Sequence, residues 1–193
     1  MNLNSLFTDM ERYALDANVP IMLKEGINFL QEFVKEKNIK NTLEIGTAIG
    51  YSALKIASMG SNVTTIERDK ERFDKAVEYI NQTDFMDKIT LIFDDALNVK
   101  LNEKFDLIFI DAAKAQNINF INNFKCNLKD NGYIIIDNVG FHGLVGKSNE
   151  IASRNLRALV RKIEKFLVYL EEQTEFKVTK INVGDGLILL ERM

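Results

Sequence analysis

One ten-residue stretch, L-E-I-G-T-A-I-G-Y-S from Leu43 to Ser52, constrains the fold of this chain more than any other. It has the form of a strand that runs into a glycine turn and then into a helix. Glycine at position 46 lets the backbone turn tightly and lets a ligand approach where a Cβ would otherwise stand. A helix starting near Gly50 points its free N–H groups at whatever lies over the strand end. Glu67 follows near the end of the next predicted strand, where a carboxylate can accept hydrogen bonds from the two hydroxyls of a ribose. The pattern implies a nucleoside-containing cofactor.

The glycine spacing narrows that choice. A dinucleotide fingerprint reads G-x-G-x-x-G, so that the backbone can approach a pyrophosphate. Here Gly46 and Gly50 flank Thr47, Ala48 and Ile49, the middle glycine is absent, and Glu44 puts negative charge near the turn. A carboxylate there suits a cationic ligand. S-adenosylmethionine carries a sulfonium, an amino group and a ribose, and lacks phosphate. The plainer alternative is an ordinary turn of a parallel sheet, against which the later motifs weigh.

A length of 193 residues fits a single domain, residues 1–193, with a helical extension over 1–38 and a sheet core over 39–193. The net charge of −3 excludes a globally basic nucleic-acid binder but allows a local basic patch. Cys126, the single cysteine, cannot make an internal disulfide and is expected to pack as a small apolar residue in a helix. The first residues lack the basic and apolar regions of a leader, and no apolar run is long enough to cross a bilayer. The expectation is a cytoplasmic protein with no membrane partner.

Short β-rich runs alternate with helical ones. Strands are predicted near Thr42–Ile45, Val63–Glu67, Ile89–Phe93, Leu107–Asp111 and Tyr133–Asp137. Helices fall near Leu6–Ala17, Lys24–Lys37, Tyr51–Met59, Lys70–Gln82, Ala115–Asn127 and Ala152–Glu172. The runs L-I-F-I and Y-I-I-I are continuously apolar, as parallel strands covered on both faces require. Two last strands, Lys177–Val183 and Leu187–Glu191, enclose Gly184-Asp185-Gly186 and form an antiparallel hairpin. The fold class is therefore α/β: a Rossmann-like, doubly wound, mostly parallel seven-stranded sheet of the methyltransferase kind, ending in a reversed strand.

Ligands of such sheets sit outside the carboxyl ends of the strands. Glu67, Asp111 and Asp137 fall at or just past such ends, and Asn138 follows Asp137. Two carboxylates and an amide oxygen are hard donors that suit a divalent ion which keeps positions open for substrate oxygens. The alternative is that these acids cap helices or turns.

These motifs resemble the metal-dependent O-methyltransferases that include the catechol and caffeoyl-CoA enzymes. The resemblance runs from about Asp16 onward and rests on Glu44–Ser52, Glu67, D-D-A at Asp94–Ala96, D-A-A-K at Asp111–Lys114 and D-N at Asp137–Asn138. Within that class the chain is most similar to the bacterial tRNA 5-hydroxyuridine methyltransferases. That similarity rests on N-V-P-I-M at Asn18–Met22, D-A-A-K-A-Q at Asp111–Gln116, D-N-V-G-F-H-G at Asp137–Gly143, R-A-L-V-R-K-I at Arg157–Ile163 and V-G-D-G at Val183–Gly186. Small-molecule enzymes of plants and animals usually carry another residue where Ala113 stands. The resemblance implies Asp111, Asp137 and Asn138 as ligands of Mg²⁺, with Mn²⁺ as an alternative. It implies Met22, Glu44, Gly46, Thr47, Ser52, Glu67, Ala96 and Asp111 around S-adenosylmethionine, with Asp95 at the adenine end. It implies Lys114 as general base, against the plainer reading of a surface lysine neutralising a carboxylate. It also implies a homodimer.

An acceptor tRNA, held at its anticodon region, would be methylated on the 5-hydroxyl at the wobble position to give 5-methoxyuridine. Arg154, Arg157, Arg161 and Lys165 share one helical face and could follow a phosphate backbone, or be a solvated face. Val139–Lys147 is the expected lid, in which Phe141 could stack on a base and His142, the only histidine, could contact substrate. The competing readings are a small catechol-like phenol as acceptor, an NAD-dependent oxidoreductase disfavoured by the missing glycine, and a non-catalytic RNA-binding protein disfavoured by the acid set.

Overall fold

A computed structural model describes residues 2–137, 139, 144, 146 and 148–193. Its sheet has seven strands: β1 (Asn41–Ile45), β2 (Asn62–Glu67), β3 (Ile89–Phe93), β4 (Phe105–Ile110), β5 (Leu128–Ile136), β6 (Phe176–Ile181) and β7 (Leu187–Arg192). They lie in the order β3-β2-β1-β4-β5-β7-β6. The first five are parallel, and β7 runs antiparallel to both β5 and β6. This is the α/β methyltransferase architecture expected from the sequence, reversed strand included. The connections run outward in opposite directions from the β1–β4 pair, so the crevice of the switch point opens at Gly46 and Asp111.

The helices are α1 (Leu3–Asp16), α2 (Lys24–Glu36), α3 (Tyr51–Ser58), α4 (Lys70–Ile80), α5 (Asn117–Phe124) and α6 (Arg154–Glu172). Alternation along the strands divides the core between them. Leu107 and Phe109 of β4 pack with α1–α4 on one face, while Ile108 and Ile110 pack with α5 and α6 on the other. On β1 the first face carries Thr42 and Glu44, both fully buried, and Leu43 and Ile45 take the second. Polar caps set several helix starts: Asp69 accepts from the Arg72 N–H at 3.0 Å, and Ser153 from the Leu156 N–H at 3.4 Å.

The structure corrects the sequence reading most between 105 and 132. The helix expected over Ala115–Asn127 is a 3-10 turn at Lys114–Gln116, then α5, then a second 3-10 turn at Lys125–Asn127. The buried Asn127 amide donates to the carbonyls of Leu101 and Glu103, both at 2.9 Å, which draws the chain out of its helix. Cys126, expected in the core, is exposed beside that turn, its Sγ 3.6 Å from the Asn123 carbonyl. Strand β5 starts five residues earlier than expected, with a bulge between its pairings Phe105↔Leu128 and Leu107↔Tyr133. Asn138, Gly140, Phe141, His142 and Gly143 lie outside the described residues, and with them most of the expected lid. Among the described residues no helix is long and apolar enough to cross a membrane.

Candidate active site

Gly46 is where the site begins. Its φ is +100°, and a Cβ built there would stand 2.2 Å from the Asp111 carbonyl oxygen. Only glycine lets the end of β1 lie this close to the end of β4. The Gly46 N–H donates to the Ile66 carbonyl at 3.0 Å, and the Asp111 N–H to the Ile45 carbonyl at 3.0 Å. The turn is thereby tied to β2 and β4 together.

Two residues on, Ala48 takes a left-handed backbone, with φ +47°. That conformation aims its N–H at Glu67 Oε2, 2.8 Å away. Glu67 Oε1 accepts from the N–H groups of Arg68 at 3.0 Å and Asp69 at 2.9 Å. Three main-chain donors thus fix the carboxylate at the end of β2, and its remaining lone pairs can take a ligand hydroxyl.

Glu44 is fully buried beneath α3. Its Oε2 accepts from the Thr65 hydroxyl at 2.5 Å, and that hydroxyl lies 2.6 Å from Thr47 Oγ1. Its Oε1 has no hydrogen-bond partner among the described residues. Burial pushes its carboxyl up to about 8, against the lowering pull of the Ser52 and Thr65 hydroxyls, and the negative charges of Asp111 and Glu67 push the same way as burial. A buried carboxyl with one unsatisfied oxygen suits a cationic ligand group.

Over the carboxyl ends of β1, β2 and β4 lies a cavity of about 390 Å³, whose wall includes Gly46, Ala48, Glu67, Asp95, Ala96 and Asp111. Lys114, in the 3-10 turn, also faces it. Met22, Glu44, Thr47, Ser52 and Asp137 are buried and are not in the wall. Sequence reasoning missed Arg68 and Arg72 in the wall, together with Pro20 and Ile21 from the α1–α2 connection. Arg68 directly follows Glu67, the one sequence signal that could have drawn it in. Its Nη1 is 3.1 Å from Asp95 Oδ2. The Asp95 carboxyl is held below its ordinary range, chiefly by the Leu97 N–H at 2.9 Å and also by Arg68.

Asp111 and Asp137 leave neighbouring strands at one level, since Ile110 pairs with Ile136 and the Asp137 N–H donates to the Ile110 carbonyl at 3.0 Å. Asp137 is buried and Asp111 half-buried at the cavity wall. Two adjacent carboxylates are a fitting donor pair for a hard divalent ion; no cluster of three or more histidine, cysteine or acidic ligands occurs among the described residues. Asn138, the third expected ligand, lies outside them.

The cations of α6 divide. Arg157 is half-buried, donating through Nε to the Ile151 carbonyl at 2.9 Å and through Nη2 to the Ala152 carbonyl at 3.4 Å. Arg161 donates to Asn149 Oδ1 at 3.2 Å. Arg154 and Lys165 are exposed. The helix packs against the Lys114–Gln116 turn, but none of these four cations lines the cavity; Arg161 and Lys165 border a separate groove with Val168 and Tyr169.

A family model described as O-methyltransferase matches residues 3–193. A caffeoyl-CoA O-methyltransferase of Populus kitakamiensis is 30% identical over 194 residues, covering 95% of this chain and 82% of the relative. A Staphylococcus aureus protein provisionally described as a caffeoyl-CoA O-methyltransferase superposes with a TM-score of 0.91 at 34% identity, covering 97% of this chain and 92% of the other. An O-methyltransferase of Bacillus cereus, solved in complex with S-adenosylhomocysteine, has a TM-score of 0.83 at 27% identity, covering 98% and 91%.

Proposed function

The chain belongs to the O-methyltransferase family, as an S-adenosylmethionine-dependent enzyme of the caffeoyl-CoA type, and from that premise we propose that it methylates a hydroxyl with a second oxygen beside it. One observation carries the reading: Asp111 lines the same cavity that Gly46 and Glu67 shape for the cofactor, and Asp137 leaves the neighbouring strand at the level of Asp111. Glu67 takes the ribose hydroxyls, the Asp95–Ala96 end takes the adenine, and the cationic end of the cofactor lies toward Glu44 and Asp111. Asp111 and Asp137, with Asn138, would hold Mg²⁺ or Mn²⁺, which when bound lowers the pKa of the acceptor hydroxyl and fixes its direction.

The protein's part is then alignment and proton removal. The acceptor oxygen must lie in line with the carbon–sulfur bond, and the cavity wall holds both partners in that line. As the new oxygen–carbon bond forms, the carbon–sulfur bond breaks and S-adenosylhomocysteine leaves. Lys114, on the cavity wall, takes the hydroxyl proton.

A small catechol-like phenol is the acceptor that the caffeoyl-CoA relative supports. A second reading, 5-hydroxyuridine at the wobble position of a tRNA, is favoured by the exposed Arg154 and Lys165 of α6, a helix that packs against the Lys114–Gln116 turn. Its 5-oxygen and neighbouring carbonyl oxygen offer the same chelating pair as a catechol. The test is transfer of label from S-adenosylmethionine to a catechol and to tRNA bearing 5-hydroxyuridine, with Mg²⁺ and with EDTA. Mg²⁺-dependent label on the catechol alone supports the first acceptor, and label on the tRNA alone the second. Label that survives EDTA overturns the metal.

A further inference from the structure

The V-G-D-G segment, Val183–Gly186, joins β6 to β7 and has no part in the chemistry above. Its place in the sheet gives it one. Ile136, the last residue of β5, pairs with Ile188 near the start of β7, so the turn stands at the strand end that carries Asp137. The turn closes on itself through the Gly186 N–H, which donates to the Val183 carbonyl at 3.0 Å. The Gly186 carbonyl then accepts from the Val139 N–H at 3.1 Å.

Asp137 and Val139 are thereby tied in opposite directions. The Asp137 N–H donates to the Ile110 carbonyl of β4 at 3.0 Å, while Val139 reaches the hairpin, and β5 lies between β4 and β7. The two ties flank Asn138 in sequence. Val139 is buried in the cluster that holds Ile134 and Ile136. The turn is also braced from its other side. Gly184 has φ +57°, and a Cβ built on it would stand 3.7 Å from Leu23 Cβ and 3.7 Å from the Gly26 nitrogen, at the start of α2. That is ordinary contact, so space admits a side chain there and backbone conformation selects which. Asparagine takes a left-handed backbone readily, whereas a β-branched residue is strained in it.

We propose that the β6–β7 turn is the post that positions the metal-ligand segment: braced on the start of α2, it holds Val139 through the Gly186 carbonyl and so fixes Asp137 and Asn138 for a divalent ion. The proposal rests on the metal reading of Asp111 and Asp137. It makes Gly184 and Gly186 positioning residues, which act on the ion only through Val139.

Titration of Mn²⁺ followed by electron paramagnetic resonance, on the protein without acceptor, tests this on five forms of the chain. They are the wild type, Gly184→Asn, Gly184→Val, Val139→Pro and the Gly184→Val/Val139→Pro double variant, with calorimetric titration of S-adenosylhomocysteine beside it. Val139→Pro has no N–H to give the turn and should weaken Mn²⁺ about tenfold, the usual cost of losing a group that orients a metal ligand. Gly184→Val should weaken it by a similar factor, and Gly184→Asn should bind as the wild type does. In the Val139→Pro background, Gly184→Val should cost almost nothing more, because the tie through which it acts is already gone. Should Gly184→Val not fold, Gly184→Ala carries the same test at a smaller factor. Unchanged Mn²⁺ affinity in Val139→Pro or in Gly184→Val overturns the proposal, as does an equal loss in Gly184→Asn. A Gly184→Val cost that persists in full beside Val139→Pro also overturns it, since general loosening of the fold would give that result. A wild type that binds S-adenosylhomocysteine but not Mn²⁺ overturns the metal reading beneath the proposal, and one that binds neither overturns the cofactor reading as well.

Discussion

The β1–α3 turn and the cationic face of α6 were both prominent in the sequence, and the structure treats them differently. At the turn, each residue answers to a fixed neighbour. Gly46 lies against the Asp111 carbonyl, Ala48 points its N–H at Glu67, and Glu44 sits under the Thr65 hydroxyl. On α6 the four cations look equivalent by spacing, yet Arg157 is spent on the carbonyls of Ile151 and Ala152 while Arg154 and Lys165 face water. Steric necessity singles out residues one by one, whereas helical periodicity specifies only a direction. A turn motif can therefore assign individual residues, and a charged stripe can only nominate a surface.

Gly46→Ala breaks the first region most completely. A Cβ 2.2 Å from a backbone oxygen cannot be accommodated by a side-chain shift, and the positive φ adds its own strain. The ends of β1 and β4 must separate, and with them the approach to Asp111. The expected result is a melting temperature lowered by several degrees, a loss of about 3 kcal/mol or more. S-adenosylhomocysteine binding should fall below detection in the same titration. A variant that binds normally would show the close approach to be dispensable.

Glu44→Gln probes the same turn through pH. The carboxyl has an ordinary value of 4.5, and burial raises it to about 8 in the folded chain. Between those values the folded chain keeps a proton that the unfolded chain has lost. Stability from this group is therefore greatest at low pH and falls as pH rises through the window toward 8. The slope is on the order of 1 kcal/mol per pH unit. Urea midpoints of the unliganded protein at several pH values should show that decline in the wild type and a flatter line in Glu44→Gln. Parallel lines would mean that the carboxyl finds a partner for its second oxygen and ionises normally.

What the sequence disclosed follows the same division. The parallel strands, the glycine turn, the acids at strand ends and the reversed last strand depend on local pattern or on backbone sterics, and each was legible. The segment from 105 to 132 was not, because a long-range contact decides it: Asn127 satisfies two carbonyls of the β3–β4 connection and cuts the helix short. The same holds at the site. Glu67 and Asp111 could be read from their positions at strand ends. The partnership of Arg68 with Asp95 exists only once β2 and β3 lie side by side. Met22, Thr47 and Ser52 were expected around the cofactor, and the structure buries them without placing them in the cavity wall.

The smallest effects belong to α6, and they decide whether its face is one surface or two. Arg157→Met keeps most of the apolar stem but removes the donors to the Ile151 and Ala152 carbonyls. Those bonds fasten the segment before α6 to the helix, so the expected loss is about 1 kcal/mol, the net worth of a charge-assisted bond at a half-exposed place. Arg161→Met removes one exposed bond to Asn149 and should cost less, within about 0.5 kcal/mol. Lys165→Met, at an exposed position with no ion pair among the described residues, should leave stability where it is and act only on an anionic partner. If RNA meets this face, Arg154→Gln and Lys165→Met each lower the salt dependence of RNA binding by about one phosphate contact, without moving the melting temperature. Arg157→Met would do the reverse, moving the melting temperature and leaving the salt slope alone. Equal behaviour of all four variants in both measurements would restore the stripe as a single surface and remove the contrast with the turn.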